Sequence, residues 1–268
     1  MNIDGCHALI TGASAGIGRE FARQLAGRAR SVVLVARRRD RLEQLRDELI
    51  KRDPKLSVHI RAVDLAERAE LDGLTQWLDQ QNIEIDLLIN NAGLGDMGAF
   101  ATSDPAKIER IILINILALT ILTRRLLPAM IKRKHGAILN VSSSAGFLPI
   151  AGFSVYAASK AYVTSFSEAL RAELRGSGVG VSALCPGPVH TEFTETAQRR
   201  GEATMAPGPE IAYVSAEDVA RAGLAAVECD RPLVIPGLMM KIGMFLVRLT
   251  PMPILRLASQ FSARRYQS

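Results

Sequence analysis

Apolar positions along the chain follow two alternating rhythms. Short runs rich in β-branched residues recur near 7–12, 31–36, 57–63, 85–90, 136–142, 178–184 and 232–236, and runs of that length bounded by turn formers read as strands. Between them, apolar residues return at helical spacing over 16–27, 39–51, 67–80, 105–133, 156–175 and 216–228, the pattern of helices with one buried face. Strand and helix in alternation, with right-handed crossovers, predict an α/β fold: a doubly wound parallel sheet of seven strands with helices on both faces. There is no internal repeat and no linker, so residues 1–268 read as one domain. The stretch 186–214 carries Pro186, Gly187, Pro188, Gly201, Pro207, Gly208 and Pro209, too many breakers for a regular element. A long irregular loop in a compact domain is usually functional, and this one is expected to be a lid over a substrate.

Composition narrows the class. The 268 residues are 48% hydrophobic and 22% charged, which permits a sizeable core and excludes global disorder. A net charge of +6 raises the question of polyanionic partners, but its location removes most of the force. Arg231, Lys241, Arg248, Arg256, Arg264 and Arg265 follow residue 230 with no Asp or Glu among them, so the first 230 residues are neutral. No nucleic-acid recognition motif or interleaving of aromatic and basic residues is present.

Three cysteines (Cys6, Cys185, Cys229) without paired spacing read as free buried thiols in a reducing cytoplasm. The four histidines do not cluster at metal-ligand intervals, so no metal is expected. The N-terminus lacks the features of a signal peptide. The apolar stretches 111–121 and 233–249 are too short or too interrupted by charge to suggest a transmembrane span.

The first strand runs into TGASAGIG at 11–18, which sets Gly12, Gly16 and Gly18 in a tight turn before a helix. Glycines there let the backbone approach a diphosphate, whose charge meets the free N–H groups and the positive end of the helix dipole. The second strand is followed by Arg37, 19 residues past Gly18, with Ala36 and no acid where a ribose 2′-hydroxyl would be gripped. A guanidinium suits a 2′-phosphate instead, and the turn is read as preferring NADP(H) over NAD(H). The competing reading is that Arg37, Arg38 and Arg39 simply solvate the start of a helix.

Tyr156 and Lys160, in YAASK, share one helix face. An ammonium beside a phenol favours the phenolate and brings the phenol toward a working pKa. Ser143 ends the fifth strand, at the sheet edge where open α/β sheets bind ligands, and is placed to hydrogen-bond a carbonyl oxygen. Ser142 and Ser144 flank it, but the spacing to Tyr156 favours Ser143. NNAG at 90–93 ends the fourth strand on the same edge, and Asn115 is an amide in an otherwise apolar stretch, where it must find partners.

Taken together, the TGxxxGxG turn, NNAG, the helical Asn115, a Ser 13 residues before the Tyr, YxxxK and the pair Pro186–Gly187 resemble the short-chain dehydrogenase/reductase family. The resemblance extends from about His7 to Gly237 and implies a Rossmann-like fold. It further implies that Tyr156 is the general acid/base, that Ser143 polarises the substrate carbonyl, that Lys160 lowers the Tyr pKa and holds the nicotinamide ribose, and that Asn115 anchors a water relaying protons to Lys160. Cofactor contacts are implied for Gly12, Ser14, Gly16, Ile17 and Gly18 in the turn and for Arg37, Asp64 and Leu65 after the second and third strands. Others are implied for Asn91, Ala92 and Gly93, for Tyr156 and Lys160, and for Pro186, Gly187, Val189 and Thr191. Many NADP-dependent relatives carry a basic residue just before the second glycine; this chain has Ala15, which leaves the preference resting on Arg37.

The expected reaction is a reversible ketone/secondary alcohol interconversion on a small carbonyl substrate of apolar character. A catalytically silent dinucleotide-binding redox sensor is the alternative. The helices bearing Asn115 and Tyr156 resemble those that pair between subunits in the family, so a homodimer or homotetramer is expected. Cys185 is expected to be a buried apolar residue, His190 an exposed loop residue, and Trp77 a packing residue. The segment 238–268, rich in Leu and Met with basic residues at intervals, is expected to form amphipathic helices. They border an apolar pocket and are candidates for contact with an acyl carrier or a membrane surface; subunit packing is the rival explanation.

Overall fold

The structure, a computed structural model, describes residues 1–199 and 213–263. Its strands are β1 (His7–Thr11), β2 (Ser31–Ala36), β3 (Ser57–Ala62), β4 (Leu87–Asn90), β5 (Gly136–Val141), β6 (Val179–Leu184) and β7 (Leu233–Val234). All pair in parallel, in the order β3-β2-β1-β4-β5-β6-β7. Between them come α1 (Gly16–Leu25), α2 (Arg39–Arg52), α3 (Arg68–Gln80), α4 (Pro105–Ile112), α5 (Leu119–Arg133), α6 (Ser154–Glu173), α7 (Glu192–Ala197) and α8 (Ala216–Glu228). Two more helices, α9 (Leu238–Leu249) and α10 (Met252–Ala263), follow β7.

The central strands are mostly apolar and almost wholly buried because both faces are covered, and successive residues alternate between two cores. Ala8, Ile10, Val32 and Leu34 face one core with Phe21 of α1, Leu42 of α2 and Leu224 of α8. Leu9, Val33 and Val35 face the other with Leu74 of α3, Leu122 of α5 and Leu170 of α6. β1 has β2 on one side and β4 on the other, so the chain winds away in opposite directions from this strand. The crevice beyond the carboxyl ends of β1 and β4 is where such sheets take ligands.

Four expectations are corrected. The helical stretch 105–133 starts where expected, at Pro105 behind the Asp104 cap, whose carboxylate accepts from the Ala106 N–H at 2.9 Å, but a π-helical turn, Leu113–Ala118, interrupts it. By length and composition alone Pro105–Arg133 is apolar enough to cross a membrane, a wider window than 111–121; here it lies against the sheet with Ile114, Asn115, Ala118 and Leu122 buried. The lid region is not free of regular structure, since α7 forms within it under a Thr191 cap, and Gln198 makes a β-bridge with Met97. Gly201, Pro207, Gly208 and Pro209 of the lid, like Arg264 and Arg265 of the tail, lie outside the described residues. Finally, Cys6 and Cys185 are buried as expected, but Cys229 is exposed.

Candidate active site

The glycine-rich turn follows β1 directly. Gly12 adopts φ +68°, and a Cβ on it would sit 2.8 Å from Asn91 Nδ2 and 2.9 Å from Ala92 Cα; only glycine permits both the conformation and the approach. Asn91 secures that approach, its Nδ2 donating to the Thr11 carbonyl at 2.9 Å, while Thr11 Oγ1 accepts from the Asn91 and Ala92 N–H groups at 3.0 Å. Gly18 differs from the expectation: it does not line the cavity, and a Cβ there would be 2.3 Å from the Gly12 carbonyl oxygen, so its role is to let α1 pack on the turn. No side chain caps α1 and no acid stands in its first turn, which leaves its N-terminal N–H groups and positive dipole end for a diphosphate.

At the adenosine end, Arg37 is exposed, lines the cavity, and makes no hydrogen bond or ion pair among the described residues. Arg38, one residue on, is spent: it donates to Ser14 Oγ at 3.2 Å and to Glu192 at 2.8 Å, and Arg41 also pairs with Glu192. Asp64 lines the cavity too. Burial pulls its carboxyl upward, but hydrogen bonds from the Arg110 guanidinium and the Ala66 N–H outweigh this and hold it below the usual carboxylate range.

The catalytic candidates converge at the carboxyl ends of β4 and β5. Tyr156 and Lys160 are one turn apart on α6 and both buried, with 8% and 4% exposure. Lys160 Nζ donates to the Val141 carbonyl at 2.8 Å and lies 5.7 Å from the Tyr156 ring centroid. Burial brings the Lys160 ammonium down to about 8. Burial also pushes the Tyr156 phenol up to about 12, opposed by a hydrogen bond with Ser143. The expected lowering of the phenol by Lys160 does not act in this arrangement, where desolvation dominates.

The three serines after β5 differ in their partners. All three line the cavity described below; the Ser142 hydroxyl is engaged, donating to the Lys160 carbonyl at 2.7 Å and meeting Thr164 Oγ1 at 2.7 Å, whereas the Ser143 hydroxyl opposes the rise of the Tyr156 phenol. Ser143 Oγ also accepts from the Ala145 N–H at 3.1 Å, which opens the 3₁₀ turn Ser144–Phe147. Asn115 sits in the π-helical turn, does not line the cavity, and has its amide fully engaged. It donates to the Leu94 carbonyl and to Ser159 Oγ, and accepts from the Leu94 N–H, each at 2.9 Å. The side chain thus ties the NNAG segment to α6, and π turns are common at functional sites because they displace backbone from the helical ladder.

Gly12, Arg37, Asp64, Ser143, Tyr156 and Lys160 open on one cavity of about 690 Å³. Ser14, Gly16, Ile17, Leu65, Ala92, Gly93, Pro186, Gly187, Val189 and Thr191 line it with the residues above. Thr191 also caps α7, accepting from the Phe193 N–H at 3.4 Å. His190 is exposed, stacked on Tyr213 at 4.2 Å, and Trp77 packs under Arg61 as a partly buried core residue. The apolar part of the cavity escaped the sequence reading. Phe153 stacks on Tyr156 at 4.2 Å and Phe193 leans on it at 5.2 Å, and Met97, Leu148, Met240 and Met244 complete the wall. These residues come from four separate segments with no shared period, so only folding could assemble them. Asp96 was missed as well: this buried carboxylate is held below its usual range by Arg199 and Lys107, and fixes the foot of the lid to the loop after β4.

The short chain dehydrogenase family model matches residues 6–201. The NADP-dependent 3-hydroxy acid dehydrogenase YdfG of Escherichia coli (strain K12) is 38% identical over 188 residues, 69% of this chain and 74% of that protein. Among solved structures, a short-chain dehydrogenase from Sphingobium yanoikuyae in complex with NADPH is 34% identical with a TM-score of 0.79, covering 87% of this chain and 88% of that one. A bulky-bulky ketone specific alcohol dehydrogenase from Comamonas testosteroni is 30% identical with a TM-score of 0.76, over 89% and 88% of the two chains.

Proposed function

The chain belongs to the short chain dehydrogenase family, and from that premise we propose that it is an NADP(H)-dependent oxidoreductase interconverting an apolar ketone and its secondary alcohol. The observation that carries this reading is that Ser143, Tyr156 and Lys160 line one cavity together with an apolar wall of Phe153, Phe193, Leu148 and three methionines.

When bound, the nicotinamide supplies or takes the hydride. In reduction, Ser143 donates a hydrogen bond to the carbonyl oxygen, and the Tyr156 hydroxyl donates the proton that the oxygen gains as hydride reaches carbon. Desolvation of the phenol keeps Tyr156 protonated and ready to act as acid at neutral pH. Lys160, charged below about 8, stabilises the phenolate left behind and would hold the ribose hydroxyls of a bound cofactor beside it. The rings of Phe153 and Phe193 exclude water from the reacting carbonyl and favour bulky apolar substituents over small polar ones.

Preference for NADP(H) rests on Arg37, whose guanidinium makes no hydrogen bond or ion pair among the described residues, and a 2′-phosphate would find there a charge-assisted partner. The names of the Escherichia coli and Sphingobium relatives agree with that choice of cofactor. Exposed Ile112 and Leu117 beside α6 support pairing of subunits through these helices. Free cysteines support a cytoplasmic location. The test is oxidation of NADPH and of NADH against a panel of ketones graded in bulk. Turnover of bulky apolar ketones with NADPH, lost on Tyr156→Phe, is expected; no turnover of any ketone would leave a binding module and overturn the reading.

A further inference from the structure

Residues 202–268 lie beyond the family match, and within them α9 has two faces of different character. Its inner face is anchored: Met244 is buried, and Met240 and Val247 pack with Cys185, Ile235, Phe147 and Leu148. Its outer face carries Leu238, Met239, Ile242, Phe245, Leu246 and Leu249, all exposed, with Phe245 at 62% and Leu249 at 65%. At about 100° per residue these six fall on one stripe. Met252, Ile254 and Leu257 of α10 continue the exposed apolar surface.

Lys241 and Arg248, seven residues apart, fall on one flank of that stripe, between the outer and inner faces. Arg248 lies over the Phe147 ring at 4.9 Å, and Lys241 is exposed. From Arg231 to the C-terminus there are six basic residues and no acid. A stripe this apolar cannot be a span, because a 12-residue helix is about 18 Å long against a hydrocarbon core of about 30 Å. A second copy placed on it by two-fold symmetry would set these cations near their own images, with no carboxylate from this segment to meet them. An anionic lipid surface meets both features at once: acyl chains accept the apolar stripe while headgroups accept the flanking cations.

We propose that the outer face of α9, continued by α10, docks this protein on an anionic lipid surface, lying in the plane of the interface. The same helix supplies Met240 and Met244 to the wall of the cavity, so docking would set the apolar side of the cavity next to the lipid.

The test is co-sedimentation of the full chain with large unilamellar vesicles of phosphatidylcholine alone or with one third phosphatidylglycerol. Binding to the anionic vesicles, falling as salt rises and weak on neutral ones, is expected of the unmodified protein. Phe245→Ser with Leu249→Ser should cut partitioning at least about tenfold, and Lys241→Ala about fivefold, with unchanged thermal melting. Absence of binding to either vesicle, or equal binding to both, overturns the proposal. So does a dimer in sedimentation equilibrium that the double variant dissolves, which would assign the stripe to a second copy.

Discussion

At the carboxyl edge of the sheet, Asn115, Ser142 and Lys160 are buried, and their amide, hydroxyl and ammonium groups have close partners in the Leu94 backbone, Thr164 and the Val141 carbonyl. Some eighty residues further along, Phe245 and Leu249 stand mostly in solvent beside cations that no neighbouring acid in sequence balances. The first region is built so that a few polar groups are held where desolvation sharpens their chemistry. The second, among the described residues, leaves apolar area in solvent, which is costly unless something else covers it. Precision in this molecule therefore resides in the sheet edge, and recognition beyond the small substrate is placed on the appended helices.

The comparison is most sharply tested at the phenol. Tyr156→Phe keeps the ring that packs on Phe153 and removes the proton, so ketone reduction should fall by about 10²- to 10⁴-fold while NADPH titration and thermal melting stay close to those of the parent. A comparable loss of cofactor binding would mean that Tyr156 is structural. Next in size, Phe21→Ala, at a fully buried position of the first core, should cost about 3–5 kcal/mol in denaturant unfolding.

At the adenosine end, Arg37→Ala should raise the KM for NADPH by about 10- to 100-fold, the range of a lost charge-assisted hydrogen bond, with little change for NADH. Equal effects on both cofactors would shift the 2′-phosphate contact to another residue. The pH dependence separates burial from chemistry. Lys160 is lowered from 10.5 to about 8 in the folded protein, so between those values the unfolded chain binds more protons, and stability from this group rises with pH across that window. Tyr156, raised from 10 to about 12, works the other way, losing stability above pH 10 as the unfolded phenol ionises first. The melting temperature of the parent relative to Lys160→Met should therefore climb from pH 8 to pH 10 and flatten above it; a flat difference throughout would show that Lys160 is not desolvated.

The smallest effect is expected in the tail. Phe245→Ser alone should change unfolding free energy by no more than about 0.5 kcal/mol, against the several kcal/mol at Phe21. A large loss would mean that the outer face of α9 is covered within the monomer.

Much of the molecule was legible before folding was considered. The seven strands could be placed because each is a short run containing β-branched or other apolar residues between breakers, and the glycine turn, Arg37, Ser143, Tyr156 and Lys160 because each lies at a strand end or a fixed spacing in one segment. The π turn at Asn115 was not legible, since LINILA at 113–118 is as good an α-helix as its neighbours, and only the tie of Asn115 to Leu94 and Ser159 gives the wider turn a reason. Gly18 was assigned to the cofactor because its motif is, yet its steric limit is set by Gly12 across the turn.

What the sequence determined by itself is therefore what depends on near neighbours: strand and helix alternation, the turn before α1, the shared helix face of Tyr156 and Lys160, and a neutral body with a basic tail. Tertiary structure decided what depends on distant ones. It engaged the Ser142 hydroxyl with Lys160 and Thr164, tied Arg38 to Glu192 of the lid, gathered Phe153, Phe193 and Met244 into one wall, and set the direction of the Tyr156 and Lys160 pKa shifts. Burial is the physical reason, because desolvation is a property of a place in the fold and no local pattern along the chain specifies it.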